Sequence, residues 1–191
     1  MTESRFGLTD LDELPDDLRE RIGETARKSG FVPNIFRALG HRPAELRAFL
    51  DYHDALMERE SGLSKAEREL VVVATSGANH CTYCIVAHGA ILRIRSKDPH
   101  LADQVAANPW QVRLDDRGRA ITDLALALAR SPEKFGDADI AAARSAGLTD
   151  DEIWDVGAIT ALFAASNRLA HLTALQPNAE FYLMGRVPRD G

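Results

Sequence analysis

The sequence lacks any apolar run of the roughly 18 residues that a membrane-spanning helix needs. Its first residues, Met1–Arg5, lack the basic start and the apolar core of a secretory signal peptide. An excess of basic residues is also missing, since the net charge is −6 at pH 7, and this disfavours nucleic acids and acidic membrane surfaces as partners. These absences predict a cytoplasmic protein that binds neither a membrane nor nucleic acid.

Alternating apolar and polar residues, which would indicate strands, are scarce along the 191 residues. Apolar residues recur instead at the spacing of a helix face, and 45% of the residues are hydrophobic, which is enough to bury a substantial core. The pattern predicts an all-α protein in which residues 1–191 form a single domain. Because several apolar helices exceed what one small bundle can bury, the sequence also predicts a homo-oligomer.

Two segments carry the pattern of a capping box, in which a hydroxyl residue and a glutamate three positions later close the start of a helix. Ser64 begins one of them, and Thr149 begins the other 85 positions further along. Each precedes a long stretch rich in alanine and valine. The recurrence predicts an internal duplication of helical units, with a core motif at 64–95 and a second repeat at 116–175.

Cysteine is scarce, because the chain has only two and both lie in the segment Cys81–His88. On a helix, this spacing places the sulfurs of Cys81 and Cys84 one turn apart and His88 one further turn along. Asn79 is the expected N-cap of that helix, which puts both thiols in its first turn. Unpaired backbone N–H groups and the helix dipole favour an anion there, and they lower a thiol pKa.

Three interpretations of the cysteine pair stay open. A redox-active dithiol is favoured, because a close pair in a reducing compartment is more often catalytic or metal-binding than a structural staple. A zinc site would need four ligands, and His80 and His88 are the only nearby candidates besides the two thiols. Burial as two inert thiols is the third interpretation, since cysteine is often buried.

Two residues are candidates for moving the thiol proton. His88, four residues after Cys84, is placed to accept that proton as a neutral imidazole or to stabilise the thiolate as an imidazolium. Glu69 would orient His88 or relay its proton through water. Because a straight helix would hold Glu69 about 18 Å from Cys81, the contact requires the chain to fold back at a break that begins near Gly77.

Two further residues are candidates for tuning the pair. Tyr83, between the cysteines, is a potential hydrogen-bond donor to a sulfur or to a bound peroxide. His80, directly before the pair, either changes its electrostatics or faces solvent. Both residue types also have ordinary roles in packing and at the surface.

Glu69, followed twelve positions later by Cys81-x-x-Cys84-x-x-x-His88, resembles the signature of the alkylhydroperoxidase D (AhpD)-like proteins. These proteins belong to the carboxymuconolactone decarboxylase superfamily. The segments Gly30–Asn34 and Asn167–Ala170 resemble its peroxidase-related branch. The resemblance implies an AhpD-like helical bundle that associates as a trimer or hexamer.

By position, the resemblance implies that Cys84 is the peroxidatic thiol and Cys81 the resolving thiol, with Glu69 and His88 as the proton relay. It also implies reduction of a small hydroperoxide without a cofactor, with a dithiol protein as reductant, and the apolar helices favour organic hydroperoxides. One departure is that the best-studied members have a histidine where this chain has Tyr83. The alternative function is a thiol–disulfide oxidoreductase or redox sensor that acts on a protein partner.

Overall fold

The computed structural model describes residues 3–186, and within that range the chain forms nine α-helices and no strand. This confirms the predicted all-α class. None of these helices is both long and apolar enough to cross a membrane. The helices are α1 Asp16–Ser29, α2 Asn34–Leu39, α3 Pro43–Met57, α4 Lys65–Ala78, α5 Thr82–Ser96, α6 Leu101–Ala107, α7 Asp116–Arg130, α8 Asp137–Ser145 and α9 Asp150–Thr173.

Both predicted capping boxes are present. The Ser64 hydroxyl accepts a hydrogen bond from the Glu67 N–H at 3.2 Å, and the Glu67 carboxylate accepts one from the Ser64 N–H at 2.7 Å. Thr149 and Glu152 exchange the same two bonds at the start of α9. The segments that follow differ, because α9 continues unbroken where the first unit turns from α4 into α5. The internal duplication therefore stays a prediction.

Helix α4 lies at the centre of the bundle. Its residues Arg68–Ser76 are all buried, as expected for a helix that has neighbours on every side. It packs against α5, α6, α7 and α9. The largest core cluster joins α4 to α7 and α9 through Val71, Val72, Ile121 and Phe163. Glu69 is carried into the interior because it lies on this central helix.

A tight turn joins α4 to α5. Asn79 ends α4, His80 adopts a left-handed conformation with φ of 53°, and the Cys81 N–H donates to the Ser76 carbonyl at 3.0 Å. This is the hydrogen bond of a Schellman turn. Cys81 then caps α5, since its sulfur accepts a hydrogen bond from the Cys84 N–H at 3.4 Å. The prediction that Asn79 is the N-cap is wrong, because the turn carries the chain two residues further before α5 begins.

Candidate active site

The turn folds α5 back along α4 and brings Glu69 to His88. The Glu69 carboxylate and His88 Nδ1 lie 2.8 Å apart, and Glu69 is buried. The ring of Phe163 meets the His88 ring edge to face, with centroids 4.6 Å apart. The imidazole is therefore held at Nδ1 by a carboxylate and on one side by an aromatic ring, which leaves Nε2 as the nitrogen for proton exchange.

Cys81 and Cys84 are free thiols with exposed fractions of 1% and 2%. They lie in an apolar cluster with residues of α2, α5, α9 and the C-terminal segment. Among the described residues, His88 makes its hydrogen bond to Glu69 and none to either sulfur. Cys84 and His88 thus lie four residues apart on α5, as expected, but the imidazole makes no direct hydrogen bond to the Cys84 sulfur. The cluster members around the cysteines include Ala38, Ala87, Ala90, Ala170, Leu175 and Phe181.

The two thiols differ in proton affinity. The hydrogen bond from the Cys84 thiol is the largest influence that lowers the pKa of Cys81 to about 7, against the effect of burial. The Cys84 N–H, the charge of His171 and the Asn167 amide also lower it. The hydrogen bond to Cys81, followed by burial, raises the pKa of Cys84, because removing the second proton would leave two negative sulfurs side by side. The electrostatics therefore favour Cys81 as the thiol that ionises first, at a pH near neutral.

Helix α9 supplies polar side chains to which the sequence analysis gave no role at the site. Asn167 is fully buried, its Nδ2 donates to the Ser76 hydroxyl at 3.1 Å, and its Oδ1 accepts from Asn79 Nδ2 at 3.0 Å. One turn later, His171 Nε2 lies 2.9 Å from the Asn79 carbonyl. Two signals were available in the sequence: the resemblance over Asn167–Ala170, and an asparagine within an alanine-rich helix, where a buried amide requires hydrogen-bond partners.

Neither of the two tuning candidates makes a hydrogen bond to a sulfur within the described residues. The Tyr83 hydroxyl accepts a hydrogen bond from the Ile35 N–H at 3.1 Å, which joins α5 to the start of α2. Burial raises the pKa of Tyr83, so this phenol stays neutral. His80 is exposed to solvent. Its place at the turn is explained by backbone conformation, since histidine adopts the left-handed region more readily than most residues.

Within residues 3–186, no group of three or more His, Cys, Asp or Glu side chains is arranged to hold a metal ion. His80 faces solvent and His88 is bonded to Glu69. The two histidines that were candidates for a zinc site thus have other surroundings.

Comparisons with known proteins match this arrangement to a family. The sequence profile of the carboxymuconolactone decarboxylase family matches residues 43–108. A crystal structure from Ralstonia eutropha JMP134, described as an alkylhydroperoxidase AhpD core and an uncharacterized peroxidase-related protein, is 52% identical with a TM-score of 0.96. That match covers 99% of this chain and 100% of the other. The chain belongs to the AhpD-like proteins of the carboxymuconolactone decarboxylase family.

Two other solved structures share this fold at lower sequence identity. An uncharacterized peroxidase-related protein from Silicibacter sp. TM1040 is 37% identical, with a TM-score of 0.91 and coverage of 97% of each chain. The debrominase Bmp8 is 16% identical, with a TM-score of 0.75 and coverage of 88% of this chain and 89% of that chain. The comparison with curated proteins gave no match. Membership in the family associates the chain with alkylhydroperoxidase-type oxidoreductases, and the likeness to Bmp8 shows the shared fold.

Proposed function

We propose that this AhpD-like protein is a thiol-dependent peroxidase that reduces organic hydroperoxides through Cys81 and Cys84. The observation that carries the proposal is the contact between buried Glu69 and half-buried His88, 2.8 Å between the two side chains, with His88 on the helix that also carries the dithiol. A thiolate beside a second thiol and a proton carrier has every group that peroxide reduction needs. The apolar cluster around the sulfurs favours an organic substrate.

The proton relay follows from the tautomer that Glu69 imposes. A carboxylate at Nδ1 keeps the proton on that nitrogen, so Nε2 is the base. In the proposed cycle, Nε2 accepts the proton of Cys84, directly after a side-chain rotation or through a bridging water. The imidazolium then returns this proton to the alkoxide that leaves when the peroxide is cleaved.

The covalent steps are a substitution at oxygen followed by one at sulfur. The thiolate attacks the terminal peroxide oxygen, the S–O bond forms, the O–O bond breaks, and the alcohol leaves with the relayed proton. The second thiol attacks the resulting sulfenic acid, releases water and forms the disulfide. A dithiol protein reductant restores both thiols by exchange and becomes a disulfide itself.

We assign Cys84 as the peroxidatic thiol and Cys81 as the resolving thiol, following the family pattern. The lowered pKa of Cys81 favours a resting thiolate on that residue, so the proton of Cys84 must leave before Cys84 attacks. Transfer to Cys81 or to His88 achieves this. The assignment therefore depends on proton exchange within the pair rather than on the resting charge alone.

The test measures consumption of cumene hydroperoxide under a dithiol reductant. The C84S variant should lose turnover, and C81S should accumulate a sulfenic acid on Cys84 that dimedone traps. The opposite pattern would exchange the two roles. Retained turnover in the double variant C81S/C84S would exclude the scheme, and faster oxidation by a model disulfide than by the peroxide would favour a thiol–disulfide oxidoreductase.

A further inference from the structure

We infer that Asn167 is a positioning residue for the dithiol, because its buried side chain on α9 fixes the turn before Cys81. The inference deepens the proposed function, because it takes the dithiol to be the reactive centre. It concerns the proton affinity of the thiols, which can be measured without any substrate. The support comes from three features of α9 and the α4–α5 turn.

The first feature is that Asn167 bridges two side chains in the last turn of α4. Its oxygen accepts from Asn79 at 3.0 Å, and its nitrogen donates to Ser76 at 3.1 Å. The Ser76 carbonyl in turn accepts the Cys81 N–H at 3.0 Å. Ser76 alone thus links Asn167 to the backbone of Cys81, the residue that caps α5.

The second feature is the amide hydrogen that remains. A side-chain amide has two N–H donors, and Ser76 accepts only one of them. The mutual Cys81–Cys84 hydrogen bond is the largest influence on the pKa of both thiols, and burial is the next. The Asn167 amide is a smaller influence, and it lowers the pKa of each thiol. A fully buried amide donor held against this turn stabilises a thiolate there more than a thiol.

The third feature is a second contact from the same helix. His171, one turn after Asn167, lies 2.9 Å from the Asn79 carbonyl, and its charge lowers the pKa of Cys81. Tyr83, between the two cysteines, stays neutral because burial raises its pKa, and His88 lies one turn after Cys84 with its Nδ1 bonded to Glu69. Helix α9 therefore contributes to both the geometry and the electrostatics of the turn, although Asn167 and His171 follow the cysteines by more than 80 positions.

The experiment measures the thiolate pKa of the reduced protein from the pH dependence of iodoacetamide alkylation. The wild-type midpoint should lie near the pKa of about 7 for Cys81, and N167A should raise it by about one unit. N167D should raise it further. An aspartate can accept from both Asn79 and the Ser76 hydroxyl, so it keeps the bridge, but it offers no N–H and adds a negative charge.

A residue with only a structural role would give the reverse order, with N167D closer to wild type than N167A. T160V is the matched control, because Thr160 is buried two turns earlier on α9 and its hydroxyl has no partner within the described residues. It should leave the midpoint unchanged. If N167A does not fold, N79A removes one bond of the bridge and should still raise the midpoint.

The outcomes separate this inference from the proposed function. If the wild-type protein shows no peroxide turnover but N167A shifts the thiolate midpoint, the peroxidase proposal is wrong and the role of Asn167 stands. If the wild-type protein turns over peroxide but the Asn167 variants have the same thiolate midpoint as T160V, only the inference on Asn167 is wrong. The disulfide provides a second readout, since loss of thiolate stabilisation should shift its equilibrium with glutathione about tenfold towards the disulfide.

Discussion

At the scale of single residues, the two thiols are coupled through one shared proton. Cys81 gives up a proton at a pKa of about 7, below its ordinary value of 9.0, whereas the pKa of Cys84 is raised. In the unfolded chain both thiols titrate at their ordinary values. The folded and unfolded states therefore bind different numbers of protons over a range of pH, and the stability of the reduced protein depends on pH.

We predict that the contribution of the pair to the free energy of unfolding rises with pH between about 7 and 9.0. These are the pKa values of Cys81 in the folded protein and in the unfolded chain. In this window the unfolded chain holds two protons on the pair and the folded protein holds one, so raising the pH favours folding, by roughly 2 kcal/mol in total. Above the window the sign reverses, because the unfolded chain loses both protons while Cys84 keeps its own.

Urea unfolding of the fully reduced protein across this window measures the effect. The double variant C81S/C84S serves as the control, since other titrating groups contribute equally to both proteins and cancel in the difference. A difference that is constant with pH would show that the thiols have ordinary pKa values. A difference that falls between neutral and mildly alkaline pH would mean that burial dominates and raises both.

At the scale of elements, the α4–α5 turn is the feature on which the site depends. His80 lies there at φ of 53°, in a conformation that L-residues other than Asn, Asp and His rarely adopt. The α8–α9 junction has the same Schellman hydrogen bond, from the Leu148 N–H to the Ala143 carbonyl at 3.2 Å, with Gly147 at φ of 90°. Glycine takes this conformation without strain.

We predict that H80G stabilises the protein by about 1 kcal/mol, because glycine removes the steric cost of the left-handed conformation. The thiol pKa should stay unchanged, since the exposed His80 makes no hydrogen bond to a sulfur. G147A is the matched control and should destabilise by about the same amount. A Cβ at Gly147 would meet nothing within 4 Å, so its effect comes from backbone conformation alone. Destabilisation by H80G would show that the imidazole has a role of its own.

Local patterns in the sequence predict most of the elements. Turn residues and apolar spacing predict α1 over Asp16–Lys28, one residue shorter than observed. The two capping boxes are also local signals. Helix α6 is missed, because its seven residues lie in a segment where polar connections are predicted around Ser96–Pro99 and Asn108–Arg113. Its burial depends on contacts with α4 and α5, which no short window of sequence contains.

The residues of the site likewise divide into those that a local sequence pattern predicts and those that only tertiary packing brings there. The contact of Glu69 with His88 follows from a chain break that the sequence indicates near Gly77. The N-cap is placed wrongly at Asn79, because the hydrogen bond that closes the Schellman turn depends on His80 adopting a positive φ. Asn167 has no spacing relation to the cysteines at all. Its contribution arises only when α9 packs across the turn, so it is a property of the tertiary structure.

At the scale of the whole molecule, α9 presents an apolar face that nothing within residues 3–186 covers. Trp154 is 74% exposed and Leu172 is 57% exposed, and Ala161 and Ala165 between them are also exposed. At 3.6 residues per turn these four side chains lie within roughly 20° of one line along the helix. A continuous apolar stripe with small residues at its centre and large ones at its ends is typical of a contact surface.

We expect this stripe to join copies of the chain, in line with the homo-oligomer predicted from the sequence. W154E combined with L172E places two negative charges on the contact and should reduce the oligomer to the monomer in light scattering. Tyr52 on α3 is also exposed, at 47%, and lies off this face, so Y52E is the control and should leave the assembly intact. A wild-type protein that is already monomeric, or a double variant that still assembles, would rule out this face. Asn167 and His171 contact the α4–α5 turn from this same helix. If the interface fixes the position of α9, loss of the assembly should therefore also alter the thiolate pKa.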